Sequence, residues 1–256
     1  MSDLTGRSVL ITGGAGTIGS TAAASFLQAG AKVALVDLAQ DALDATAEKL
    51  REHGEVLTIA ADVSSDEDVA RYVATTVEQH GGIDVFFNNA GIEGKVQELP
   101  DIDPDDFDAV LAVNVRGVFL GLKHVLPVMY EKGSGSVINT SSVAGLGGTA
   151  GVAPYVASKH AVVGLTKTAA LEAAPKGVRV NSVHPSPVTG RMMESLEAGF
   201  SPDDPEGSRQ GMAAGIPLGH YAEAQDIVDT VLFLAGDRST FITGAQMRID
   251  GGMGAS

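Results

Sequence analysis

Residues 8–19 read Ser8-Val9-Leu10-Ile11-Thr12-Gly13-Gly14-Ala15-Gly16-Thr17-Ile18-Gly19. The first five are apolar and β-rich, and they stop abruptly at glycine. Ser20–Ala29 then has the spacing of an amphipathic helix and stops at Gly30. Gly14, Gly16 and Gly19 satisfy G-x-G-x-x-G between a strand and a helix, the context that gives the motif meaning. Glycines let the main chain approach a pyrophosphate closely, and the helix start offers free N–H groups at its positive dipole end. Gly13, Gly16, Thr17, Ile18 and Gly19 are therefore the first candidate cofactor residues.

Working outward, the same alternation repeats. Further strands are expected at 32–37, 56–61, 83–87, 135–140, 178–183 and 246–249, and helices at 41–53, 66–80, 107–130, 153–174 and 226–235. The strands are continuously apolar, as when both sheet faces are covered. Seven strands alternating with helices predict a Rossmann-like, doubly wound parallel α/β sheet with helices on both faces. No linker or repeat divides the chain, so 1–256 reads as one domain. No element is assigned to Pro185–Gly219, which is rich in Pro, Gly and Met; a stretch that long in a compact domain reads as a lid.

Of 256 residues, 44% are hydrophobic and 19% charged, the balance of a globular chain. A net charge of −15 disfavours nucleic acid and anionic lipid as partners. With no cysteine there is neither a thiolate nucleophile nor a cysteine metal site. His184 and His220 are not metal-spaced, so no metal is expected. The N-terminus lacks the pattern of a signal peptide and no window reads as a membrane span; a soluble cytoplasmic protein acting on a small molecule is the expectation.

The second strand ends at Asp37, eighteen residues beyond Gly19. An acid there accepts hydrogen bonds from the adenosine ribose and repels a 2′-phosphate. Val36-Asp37-Leu38-Ala39-Gln40 holds no base to pair with such a phosphate, so NAD is expected over NADP. Asp37 could equally cap the following helix, and Asp62 could either meet the adenine edge or cap the next helix.

Tyr155 and Lys159 stand i, i+4 on a predicted helix and share a face. A phenol with a pKa near 10 needs a neighbouring positive charge to act as a base. Taken alone, the spacing equally describes a surface pair. Ser141 and Ser142 follow a strand, and Asn114 lies at the end of a helix-like run. Ser, Tyr, Lys and Asn together can grip a carbonyl oxygen and deliver a proton.

With these pieces in this order, the chain resembles the short-chain dehydrogenase/reductase family over nearly its whole length. The matching residues are Thr12–Gly19, Asp62-Val63, Asn88-Asn89-Ala90-Gly91, Asn114-Val115-Arg116-Gly117, Ser141-Ser142, Tyr155-Val156-Ala157-Ser158-Lys159 and Asp250-Gly251-Gly252. The resemblance implies an NAD-dependent exchange of a hydride between nicotinamide and a secondary alcohol or ketone. It implies that Tyr155 is the acid/base, that Lys159 lowers its pKa and binds the nicotinamide ribose, and that Ser142 holds the substrate oxygen. Asn114 would hold a water linking Lys159 to solvent. Leu38, Asp62, Val63, Asn89, Ala90 and Gly91 would follow the adenosine side, and Pro185, Val188 and Thr189 the nicotinamide end. The resemblance also implies a homotetramer packed through the C-terminal segment.

Three positions depart from the family pattern. Thr17 stands where a small residue, mostly Gly, is usual; Pro185-Ser186 replaces Pro-Gly; and Gly190 stands where a threonine often meets the carboxamide. Ile92–Gln97, Ala144–Val152 and 192–212 would wall the substrate site, with Met192, Met193, Met212, Leu146 and Val152 making it apolar. That suits a small cyclic or aromatic substrate. The alternatives are a 3-oxoacyl-thioester reductase and a regulator that senses NAD without turnover.

Overall fold

The computed structural model describes residues 3–255. Seven parallel strands form one sheet in the order β3-β2-β1-β4-β5-β6-β7. They are β1 (Ser8–Thr12), β2 (Lys32–Asp37), β3 (Val56–Ala60), β4 (Val85–Asn88), β5 (Gly135–Thr140), β6 (Val178–Pro185) and β7 (Gln246–Ile249). The chain winds outward from β1 to β3, then returns to pair β4 with the other side of β1. The strand order reverses between β1 and β4, and a parallel sheet opens a crevice for ligands at the strands' C-terminal ends where this happens. Thr12, Asn88 and Thr140 end the three central strands at that crevice.

Successive strand residues face opposite layers, and the core divides accordingly. Leu10, Phe86, Val137 and Val180 pack with Tyr72 of α3 (Asp66–His80), Val125 of α5 (Gly117–Lys132) and Val162 of α6 (Ala153–Ala173). Ile11, Leu35, Phe87 and Ile138 pack with Phe26 of α1 (Thr17–Gln28), Leu43 of α2 (Gln40–Leu50) and Val231 of α9 (Ala224–Ala235). Apolar side chains on both faces explain why these strands read as unbroken apolar runs.

Two segments differ from the sequence-based expectation. The helical stretch at 107–130, which reads as two helices in succession, does divide, but it runs from 104 to 132 and α4 (Pro104–Leu111) passes into α5 through a π turn at Ala112–Arg116 rather than a break. That helix is long and apolar enough to cross a bilayer by composition, but Val118, Leu122, Val125 and Met129 spend its apolar face on the core. The stretch 185–219 is not irregular: it carries α7 (Arg191–Phe200) and α8 (Pro205–Ala214). Both are ten residues long and glycine-containing, which obscures helical periodicity in sequence.

Candidate active site

The phosphate loop is built by crowding. A Cβ on Gly19 would lie 2.1 Å from Gly13 O, and one on Gly13 would lie 3.0 Å from Ala90 Cα. Gly16 caps α1 without a side-chain hydrogen bond, and the first turn carries no acid. The N–H groups of Thr17, Ile18 and their neighbours thus face outward at a positive helix end, which fits an anionic diphosphate. Ile18 is half-buried against the α1 layer.

Asp37 stands beside this loop. Its carboxylate accepts from Ala15 N at 3.0 Å and Leu38 N at 2.8 Å, fixing a negative charge at the crevice edge, while the Leu38 side chain is exposed. Asp62 does not cap α3: it accepts from Ser64 N and Oγ, and Ser65 receives Asp68 N as the cap. Its neighbour Val63 packs on Gly117, where a Cβ would lie 2.9 Å from Val63 Cγ2. Asn89 ties three strand ends together. Its N–H and that of Ala90 donate to Thr12 Oγ1 at 3.0 and 3.1 Å, its amide donates to Thr12 O, and its Oδ1 accepts from Thr140 Oγ1.

Tyr155 and Lys159 lie in the first turns of α6, and Lys159 Nζ is 5.4 Å from the Tyr155 ring centroid. Lys159 is buried and donates to Thr140 O at 3.0 Å; burial pushes its pKa down to about 8. Burial pushes the Tyr155 phenol up to about 12, opposed by a hydrogen bond from Ser142 and reinforced by the negative charge of Glu93. In the protein alone, then, Lys159 does not bring Tyr155 below its ordinary value. A charge arriving with a cofactor must act on top of this starting point.

The structure separates the two serines. Ser141 Oγ donates to Lys159 O at 2.9 Å and is consumed in holding α6, while Ser142 faces Tyr155. Asn114 is fully buried in the π turn. Its Oδ1 accepts from Ile92 N at 2.8 Å, and its Nδ2 donates to Ile92 O and Ser158 Oγ. Gly91 lies between it and the lysine: a Cβ there would be 3.2 Å from Asn114 Oδ1 and 3.3 Å from Lys159 Nζ. Val188 pairs with Ala222, and Thr189 Oγ1 donates to Glu223, so the Thr189 hydroxyl is directed away to α9's N-terminus.

The three segments expected to wall a substrate site do meet. Gln97 N donates to Gly151 O, and Cβ atoms on Gly151 and Gly199 would meet Val96 at 3.3 and 2.6 Å. Met212 packs on the scaffold, its sulfur accepting from the Tyr221 hydroxyl.

Three further side chains gather at the site: Glu93, which sequence did not single out, Arg191, and His184, which sequence read only as lacking metal spacing. Glu93 is buried in the loop after β4, and Arg191, the first residue of α7, grips it at 2.8 and 3.1 Å. His184, buried at the end of β6, has Nδ1 2.9 Å from Ser142 O and Nε2 2.8 Å from Ser182 Oγ. Burial lowers its pKa, so the neutral ring donates to the Ser142 carbonyl and accepts from Ser182. A lone acid and a lone histidine were the available signals, but Arg191 and the Ser142 carbonyl, which orient them, lie far away in sequence.

A phosphate-loop crevice joined to a Ser-Tyr-Lys cluster defines a dinucleotide-binding oxidoreductase fold. A family model described as "Enoyl-(Acyl carrier protein) reductase" matches residues 13–254. Levodione reductase of Leifsonia aquatica is 40% identical over 98% of this chain and 96% of that protein. Trans-4-hydroxycyclohexanecarboxylate dehydrogenase of Sinomonas cyclohexanicum is 40% identical over 95% of this chain and 91% of its own. The crystal structure of an NAD+-bound xylitol dehydrogenase superposes with a TM-score of 0.93 at 36% identity, covering 97% of this chain and 99% of that one. The chain belongs to the short-chain dehydrogenase/reductase family.

Proposed function

We propose that the protein is an NAD-dependent dehydrogenase/reductase acting on a small, apolar or cyclic secondary alcohol and its ketone. The observation that carries this is the Ser142-Tyr155-Lys159 cluster at the C-terminal end of the sheet, beside an uncapped helix start. Bound nicotinamide supplies or removes the hydride. The chain's own groups do the rest. Ser142 donates to the substrate oxygen, and Tyr155 gives that oxygen a proton in reduction or takes one in oxidation. Lys159 favours the phenolate by its charge, and Asn114 fixes the loop that faces it. Asn89, Ala90, Gly91, Asp62 and Val63 line the adenosine side in this reading, which treats the chain as one catalytic domain with 185–219 as a lid. The exposed Leu218 and Phe241 support packing of the C-terminal part in a homotetramer.

Levodione reductase and trans-4-hydroxycyclohexanecarboxylate dehydrogenase point to ketone and cyclic alcohol chemistry, and the xylitol dehydrogenase to NAD. The test follows absorbance at 340 nm with NADH and NADPH across cyclic ketones and alcohols. Turnover is expected with NADH; preference for NADPH would refute the cofactor assignment.

The Asp37 carboxylate gives that assignment a sharper form. It is anchored by two N–H groups and cannot swing away from a 2′-phosphate. Like-charge contact of this kind costs several kcal/mol. Asp37→Ser should therefore lower the NADH-to-NADPH ratio of kcat/KM by a factor of about ten to a hundred. An unchanged ratio would move the source of discrimination elsewhere.

A further inference from the structure

Two of the departures from the family pattern touch each other. Thr17 is the first residue of α1, and Gly190 immediately precedes α7. A Cβ on Gly190 would lie 2.7 Å from Thr17 Oγ1 and 3.4 Å from Thr17 Cβ. The Gly190 backbone has φ 146°, a region that side chains rarely adopt. A side chain at 190 would therefore be strained by its backbone and, with Thr17 in place, crowded by Thr17 Oγ1 as well.

The Thr17 side chain is exposed, and its hydroxyl has no protein partner among the described residues; only its carbonyl is used, by Ser20 and Thr21. That hydroxyl stands on the same helix end whose N–H groups are uncapped. On the other side, the peptide after Gly190 begins α7 with Arg191, which grips Glu93 next to Tyr155. One short stretch of backbone therefore joins the phosphate loop to the acid/base.

We propose that Thr17 is a cofactor-positioning residue, its hydroxyl donating to a phosphate oxygen of the dinucleotide while its side chain seats the start of α7, adding a steric constraint to the backbone one that already favours glycine at 190. The proposal rests on the dinucleotide reading above and deepens it. A hydroxyl can rotate toward an anionic oxygen and adds one charge-assisted bond to those of the helix end. Because the same side chain abuts Gly190, an oxygen held by Thr17 also bears on where α7 starts.

The test is NADH affinity by nicotinamide fluorescence, with proteolysis of the 191–214 segment as a second readout. Thr17→Val keeps the shape and removes the hydroxyl; Kd should rise about five- to tenfold, while Thr17→Ser stays within about twofold. Protection of 191–214 from protease by NADH should weaken in Thr17→Val but not in Thr17→Ser. Gly190→Ala should raise Kd by more than about tenfold in the native background. In a Thr17→Gly background the same change should cost about threefold or less, since only backbone strain is left. Native affinity in Thr17→Val, or an equal Gly190→Ala penalty in both backgrounds, would overturn the proposal. A folded wild-type chain that binds no NADH would instead remove the dinucleotide reading, and this proposal with it.

Discussion

Tyr155→Phe should lower kcat for ketone reduction by about a thousandfold or more while shifting the NADH Kd by less than about threefold. The substitution keeps the ring packed beside Lys159 and deletes only the oxygen that faces Ser142. Because burial holds the phenol up to about 12, Tyr155 is a neutral acid at physiological pH. It is ready to protonate a ketone oxygen without prior activation. The reverse direction needs the phenolate, which burial and the Glu93 charge both oppose. Lys159, Ser142 and a bound nicotinamide cation must work against them. The two directions should therefore part with pH. Alcohol oxidation should climb steadily from neutral to alkaline pH as the phenolate population grows, while ketone reduction stays level until the phenol itself begins to ionise. Steady-state rates in both directions across that range check this. Undiminished turnover in Tyr155→Phe would remove the residue from its role, and parallel pH profiles would remove the charge argument.

Most of the sheet could be read from the chain because the central strands β1, β4 and β5 are largely apolar runs that end at Gly, Asn or Ser. Pairs such as Leu10/Ile11 and Phe86/Phe87 send neighbouring side chains into opposite layers, so burial on both faces leaves a strong signal. The site was legible where function lies in local order: the glycine loop, and Tyr155 one helical turn from Lys159. It was not legible where function lies in contacts between distant segments. Glu93 and Arg191 meet only because α7 folds back over the β4 loop, and His184 gains meaning only because β5 and β6 are neighbours. Thr17 and Gly190 each read as an isolated departure, and only the fold shows them as one contact. The helices α7 and α8 escaped because glycine and proline punctuate them and little of either is buried. The direction of the Tyr155 shift was also beyond the sequence. Spacing reveals a nearby ammonium but not the desolvation that outweighs it.

Lys159→Met should make the protein inactive and more stable at once. Lys159 is 3% exposed, and its ammonium donates to Thr140 O. Burial depresses its pKa from 10.5 to about 8, so the folded state disfavours the ammonium that the unfolded chain holds freely. The corresponding penalty is about 3 kcal/mol below the folded value. The sign is fixed by proton counting: between about pH 8 and 10.5 the unfolded chain holds a proton that the folded chain has released, so stability rises with pH there. Methionine fills the same volume without charge. It leaves the Thr140 carbonyl unpaired, which returns about 1–2 kcal/mol of the gain. A net stabilisation of about 1–2 kcal/mol at pH 7 should remain, raising Tm by roughly 2–8 °C for a chain of this size. The rise in stability between pH 8 and 10.5 should flatten relative to wild type, and turnover should fall by about a hundredfold or more. Calorimetry at pH 7 and pH 10 on both proteins decides it. A lower Tm in Lys159→Met with the wild-type pH slope intact would show that the buried ammonium is not strained. Opposite movements of activity and stability would instead locate at Lys159 a destabilising charge kept in place for the chemistry of Tyr155.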